Sequence, residues 1–297
     1  MIGRVLAAGL LTFAAAAQTP PAFRSNLDLV TIPCTVLDVN GNPVTDLAPE
    51  EFHVFDNNVR RTVQSLWHDA DQPVTLGIII DASESQHDLI EEHRHTVLAV
   101  LEQILRPGDR AFVISVSEYI RVWADLSSKI EDLRKQMALD PAEPLGAPCP
   151  QCGGSQLWNA VYETARVKLR PLTGNKALLI LTDGFDTGST HTWRQAADEV
   201  ARAEAAVYAV QYQIGLGGRF APDLTRLLEE SGGAWFGAPA GNYANIVARL
   251  ETDLRHRYVL AIHPDMTGGN ARHELRVEVT RPDLKVRARK AYVQVGR

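Results

Sequence analysis

Val74-Thr75-Leu76-Gly77-Ile78-Ile79-Ile80, followed at once by Asp81-Ala82-Ser83-Glu84-Ser85, is the stretch that decides how this chain folds. Seven near-continuous apolar residues of strand length fit a strand covered on both faces. A helical pattern follows over residues 87–105 and closes at Pro107-Gly108. The rhythm then repeats. Strands are expected at 111–116, 177–182 and 206–210, with a short one at 234–236, and helices at 128–137, 157–169, 193–205, 222–230 and 243–254. Strands alternating with helices of this length imply an α/β fold, a doubly wound, mostly parallel sheet with helices on both faces, over residues 73–254.

The flanks read differently. Residues 25–70 carry β-branched runs at 27–37, 53–55 and 62–67, with tight turns at Asn40-Gly41 and across Asp56-Asn57-Asn58. Residues 257–297 carry three more, at 258–262, 274–279 and 286–295, with Thr267-Gly268-Gly269-Asn270 as a turn. Two or three strands cannot bury a stable core alone. The expectation is that the N- and C-terminal β segments pair as a small sandwich of about six strands, with the α/β unit inserted between them.

Composition narrows the function classes. The 297 residues include 36 acidic and 30 basic side chains, net −6, and 45% are hydrophobic. That is enough apolar surface for a folded state, and too little positive charge for a nucleic-acid footprint. Three cysteines are too few for a disulfide-built fold. At the start, Arg4 precedes an apolar run over 5–17, short of the roughly 20 residues a membrane-spanning helix needs. It ends in Ala15-Ala16-Ala17, which suits a signal peptidase, so residues 1–17 are expected to be removed and the protein exported to the periplasm or beyond. A buried or disordered N-terminal helix is the alternative. No second apolar run approaches membrane length.

Ligands of doubly wound sheets sit at the carboxyl ends of the strands. Asp81, Ser83 and Ser85 lie at one such end, Asp183-Gly184 at another, and Gly153-Gly154-Ser155 adds a hydroxyl from a flexible loop. This is an all-oxygen set suited to a hard cation. The same residues could instead cap helices.

In this pattern the sequence resembles the von Willebrand factor type A domain with its metal-ion-dependent adhesion site. Asp81, Ser83 and Ser85 match the D-x-S-x-S motif, Asp183 the aspartate of the T-D-G segment, and Ser155 falls where the family usually has threonine. Residues 39–44 and 49–52, with 258–260 and 284–290, resemble the flanks of the exported bacterial "VWFA-related" group. The resemblance implies a Rossmann-like layer holding Mg²⁺ or Mn²⁺ through Ser83, Ser85 and Ser155, with Asp81 and Asp183 binding directly or through waters. A vacant coordination position would accept an acidic side chain of a protein partner. The function expected is therefore adhesion-type binding and not catalysis. The alternatives are a metal-assisted hydrolase using Asp81 or Ser83, with Glu84 as a residue to check for the base, and a metal-independent scaffold.

Weaker signals complete the reading. Cys149 and Cys152 flank Pro150-Gln151 in a proline-rich loop just before Ser155, and a small disulfide is expected, free thiols or a redox or metal role being the alternatives. Cys34 reads as a buried thiol. His93 and His95, two apart on a helix, point to different faces. Arg276, Lys285, Arg287 and Arg289 are expected on a solvated sheet face, an anionic partner being the alternative. Gly215-Leu216-Gly217-Gly218 lacks the full dinucleotide fingerprint and reads as a loop. Asp186 belongs either to the ligand-binding rim or to a cap on the next helix.

Overall fold

The computed structural model describes residues 29–70, 72–83, 89–139, 143–144, 154–211, 221–237, 243–264 and 272–293. The chain begins with β1 (Val30–Leu37), β2 (Phe52–Asp56), β3 (Val59–Arg61) and β4 (Val63–His68). It continues through β5 (Val74–Asp81), α1 (Ile90–Ile104), β6 (Arg110–Val116), β7 (Ile120–Ser127), α2 (Ile130–Met137) and β8 (Glu143–Pro144). Next come α3 (Leu157–Glu163), β9 (Asn175–Thr182), α4 (Trp193–Ala203), β10 (Ala205–Gln211), α5 (Pro222–Ser231), β11 (Trp235–Gly237) and α6 (Tyr243–Arg255). β12 (Tyr258–Ile262), β13 (Arg272–Val279), β14 (Lys285–Ala288) and β15 (Ala291–Val293) end the described chain.

The apolar run at 74–80 sits at the heart of a seven-stranded sheet ordered β11-β10-β9-β5-β6-β7-β8. Every residue of β5 and of β9 is buried, as a strand sheathed on both faces requires. Side chains alternate between two cores. Leu76, Ile78 and Ile80 pack with Val97 and Leu101 of α1 and Leu250 of α6. Ile79 faces the other way, with Phe112 and Ile114 of β6, Val161 of α3 and Leu227 of α5. Each such fully buried aliphatic stabilises the fold by about 1.5–3 kcal/mol relative to exposure. Gly77 has no side chain because a Cβ would come within 2.5 Å of the Phe112 ring.

The parallel reading holds for β5, β6, β9, β10 and β11, whereas β7 runs antiparallel to β6 and β8 antiparallel to β7. β7 (Ile120–Ser127) falls where no element is expected, although Ile120-Arg121-Val122-Trp123 is a β-type run after a three-residue turn. The helix expected over 157–169 is α3 prolonged by a π-helical stretch, Thr164–Leu169, in which Arg170 N–H donates to the Ala165 carbonyl at 2.8 Å. Glu204 ends α4 in a left-handed conformation, so that helix stops short of Ala205.

The flanks do pair, into two four-stranded sheets ordered β14-β1-β12-β4 and β15-β13-β2-β3. The strands number eight, where about six were expected. The run expected as one strand over 286–295 is broken at Arg289-Lys290 into β14 and β15, which join opposite sheets, and β3, ahead of the strand expected at 62–67, parts from β4 at Thr62 and joins the other sheet. The turn at Asn57-Asn58 has both residues at positive φ, 50° and 63°, as a two-residue hairpin demands. Asn40-Gly41 also turns, its amide and that of Asn42 bonded to the Asp38 carboxylate. The turn at 267–270 and the glycine-rich stretch 215–218 lie outside the described residues. Ile32, Cys34, Val54, Tyr258 and Leu260 form the sandwich core. It ends in a polar cluster. The Tyr292 hydroxyl donates to Asp56 Oδ2 at 3.0 Å, and His273 Nδ1 lies 2.9 Å from Asp56 Oδ1.

The expected basic face is corrected by this packing. Arg287 pairs with Asp253 of α6, and Arg289 is buried, donating to the Thr31 carbonyl and pairing with Glu204 at 3.2 Å. Both side chains are used between the sandwich and the α/β layer, leaving only Arg276 and Lys285 on the outer side. Two buried pairs, Arg255–Asp109 and Arg257–Asp69, lie where the layer's amino end meets the flanks. His93 is buried and His95 exposed, as their spacing implies.

Cys34 is 1% exposed, and burial pushes its thiol up to about 12. A thiol reagent at pH 8 should therefore find Cys34 only after unfolding. Denatured, unreduced protein is expected to yield one thiol if Cys149 and Cys152, which lie outside the described residues, are joined; three would exclude that disulfide.

Candidate metal-ion site

β5 and β9 are parallel neighbours in register, Ile80 beside Leu181, so they end side by side at the carboxyl edge of the sheet. Asp81, the last residue of β5, is fully buried. Its Oδ1 accepts the Ser83 amide at 3.0 Å, and its Oδ2 accepts the Thr182 hydroxyl at 2.7 Å. Thr182 Oγ1 in turn accepts the Gly184 amide at 2.9 Å. Gly184 turns there with φ +88°, which carries Asp183 onto the same edge, half-buried, its Oδ1 accepting the Phe185 amide.

Burial pushes the Asp81 carboxyl above the ordinary carboxylate range, and the Asp183 charge adds to this, against hydrogen bonds from Ser83 and Thr182. The Asp183 carboxylate thus lies close enough to oppose ionisation of Asp81. A cation between them would reverse that effect.

Ser155 comes to this edge from the far side of β7. Its amide donates to Thr187 Oγ1 at 2.9 Å, and its carbonyl accepts the Thr187 and Gly188 amides at 3.0 and 2.9 Å. The loop bearing Ser155 is thereby stapled to the loop that follows Asp183. The approach is so close that a Cβ on Gly154 would overlap Thr187 Oγ1. Gln156 N–H donates to the Ser117 carbonyl, and Ala82 N–H to that of Val116 at 2.7 Å, tying in the β6–β7 turn and the loop after β5. Ser155 Oγ itself is buried and has no hydrogen-bond partner among the described residues.

A buried hydroxyl without a partner is costly, so its site calls for a ligand or water. The capping alternative does not account for it: no side chain of Gln156, the residue before α3, caps that helix. The α3 amide of Trp158 is instead accepted by Asp186 Oδ1 at 3.2 Å, from across the site. Asp186 is therefore a cap, but on α3 and not on the following helix, which Thr192 caps through Gln195. Sequence reasoning missed Thr182 as the residue that fixes Asp81. It also missed Asn159, whose Oδ1 accepts the Thr190 and His191 amides at 3.1 and 3.0 Å and orders the loop. Thr182 stands in the T-D-G segment itself; nothing in the sequence marks Asn159.

The structure thus brings Asp81, Ser83 and Asp183 together directly and places Ser155 on the adjoining loop. Ser85 and Glu84 lie outside the described residues. No group of three or more His, Cys, Asp or Glu side chains gathers around a point among the described residues, so a cation here would depend on hydroxyl oxygens as well as two carboxylates. Such a set fits a hard divalent ion. His93 of α1 is buried, and burial pushes its imidazole down to about 4, keeping it neutral.

No protein-family model and no curated protein matches the chain. Solved structures do match. BatB of Bacteroides thetaiotaomicron aligns at 15% identity and TM-score 0.43, covering 61% of this chain and 98% of BatB. The vWF domain of the pilus tip protein Mfa5 of Porphyromonas gingivalis aligns at 11% and 0.45, over 62% of this chain and 96% of that one. Proximal thread matrix protein 1 of mussel byssus, solved with zinc in its MIDAS motif, aligns at 13% and 0.49, over 66% of this chain and only 48% of the mussel protein. The strand order described above, with its antiparallel edge and helices on both faces, makes the layer von Willebrand factor type A-like. Among the described residues no helix is long and apolar enough to cross a membrane.

Proposed function

We propose that Asp81, Ser83, Ser85, Ser155 and Asp183 hold a divalent cation, Mg²⁺ or Mn²⁺, and that the cation binds an acidic side chain of a protein partner. The observation that carries the reading is the buried Ser155 hydroxyl, without a partner among the described residues, on a loop stapled to the one bearing Asp183. The bound ion would supply the open coordination position. The chain's own residues orient the oxygens, Thr182 by fixing the Asp81 carboxylate and Thr187 by fixing the Ser155 backbone. The role is binding and not turnover, in an exported protein whose sandwich carries the α/β layer as an insertion.

The test is calorimetric titration of chelator-treated protein with Mg²⁺ and Mn²⁺, beside Asp183→Ala. One-site binding is expected in the parent and none in the variant, whose circular dichroism should be unchanged. Absence of binding by the parent protein would overturn the reading, and unfolding of Asp183→Ala would make that residue structural.

A further inference from the structure

Two aromatic side chains at the carboxyl edge of the sheet are more exposed than any other large aromatic among the described residues. Tyr119 is 62% exposed and Phe185 52%, whereas Trp67 and Trp235, the next, are at 39% and 41%. Burial of a ring of this size is strongly favourable, so a ring held out in water on an ordered loop marks a contact surface. Both loops are ordered by the site's own hydrogen bonds. Tyr119 sits in the β6–β7 turn, which Gln156 grips through the Ser117 and Glu118 carbonyls and which Ser117 closes on the Tyr119 carbonyl at 3.0 Å. Phe185 is two residues beyond Asp183, whose carboxylate accepts its amide at 3.1 Å. The Arg121 guanidinium lies 5.2 Å from the Tyr119 ring centre, which places a cation beside that ring.

We infer that Tyr119 and Phe185 form an apolar rim that selects partners in which the metal-seeking carboxylate is flanked by large apolar side chains; the inference rests on the metal-dependent reading above. The rings stand on the two loops that adjoin Ser155 and Asp183, so a partner residue reaching the cation brings its neighbours against them. Because the backbone on both sides is already fixed, little ordering entropy opposes the contact. A partner presenting its carboxylate among small polar residues would reach the ion and leave both rings wet.

The probes are two blocked pentapeptides, one with glutamate between two phenylalanines and one with glutamate between two serines. Each is titrated in Mg²⁺ and after chelation, with Mg²⁺ affinity measured separately on the same samples. The parent protein is expected to prefer the phenylalanine peptide by about tenfold, equivalent to ~1.4 kcal/mol. In the double variant Tyr119→Ser, Phe185→Ser the preference should vanish while Mg²⁺ affinity is unchanged. Equal affinity for the two peptides, a preference that survives in the variant, or no binding of either peptide overturns the rim. If the parent binds no Mg²⁺ yet the preference is present and lost in the variant, the rim stands and the metal reading falls.

Discussion

Asp109→Ala should cost about 3–5 kcal/mol of folding stability, the range for removing one partner of a buried ion pair. Asp109 is 2% exposed and lies in the turn before β6. Its Oδ1 accepts the Val74 amide at 2.7 Å, at the start of the central strand, and its Oδ2 the Arg106 amide at 2.8 Å. It also pairs with Arg255, the last residue of α6, whose guanidinium reaches the Gln72 and Ile104 carbonyls. One carboxylate thus holds the start of β5, the turn into β6 and the end of α6. Without it a buried guanidinium and two amides lose an acceptor in a low-dielectric setting. Urea unfolding followed by fluorescence should show a lower midpoint at an unchanged m-value. A loss below about 1 kcal/mol would mean that water replaces the carboxylate without difficulty. The double variant Asp109→Leu, Arg255→Met should recover part of the loss, because an absent pair leaves no charge stranded.

Ser155→Ala should split stability from metal binding, and the two effects carry opposite signs. In chelator the variant loses only a buried hydroxyl with no partner among the described residues, so its stability should equal or exceed the parent's by up to about 1 kcal/mol. Its Mg²⁺ affinity should nevertheless fall by about 10- to 100-fold or more, since even outer contacts of a metal site cost that much when removed. Thermal melts with and without Mg²⁺ read both quantities from one sample, because a ligand bound only to the native state raises its melting temperature by an amount that grows with the logarithm of its affinity. A variant that is destabilised in chelator and keeps its Mg²⁺ affinity would make Ser155 a structural residue.

Much of the architecture was legible because it rests on signals confined to one element. A run such as 74–80 is nearly all apolar and of strand length, the pattern of a strand buried on both faces. Asn57-Asn58 and Asn40-Gly41 read as turns because few other residues accept positive φ there. What escaped depends on partners far along the chain. Nothing in the run itself tells that the chain changes sheets at Thr62; the choice is made by β2 on one side and by the distant β12 on the other. Arg287 and Arg289 look like outward residues of an alternating strand. They lie instead against acidic partners, Asp253 and Glu204, whose positions only the packing of α6 and the end of α4 defines. At the candidate site the residue types were legible and their orientation was not. That Thr182 braces Asp81, or that Asp186 reaches across to α3, follows from strand register and loop stapling.

The interleaving of the two flanks bears on the order in which the molecule can assemble. β1 lies between β12 and β14, so Val30 faces Ile262 and Cys34 faces Ala288, and Asp56 meets Tyr292 across 236 residues of chain. Contacts this remote close slowly, because the loop must lose its freedom before any strand pairing repays it. The layer built around β5 has mostly local βα connections and needs none of them. As the chain emerges from its amino end, β1 to β4 therefore wait with apolar faces uncovered while some two hundred residues between them and their partners fold. During that interval their safeguard against pairing with another chain is how quickly the inserted layer forms and draws β12 to β15 back beside them.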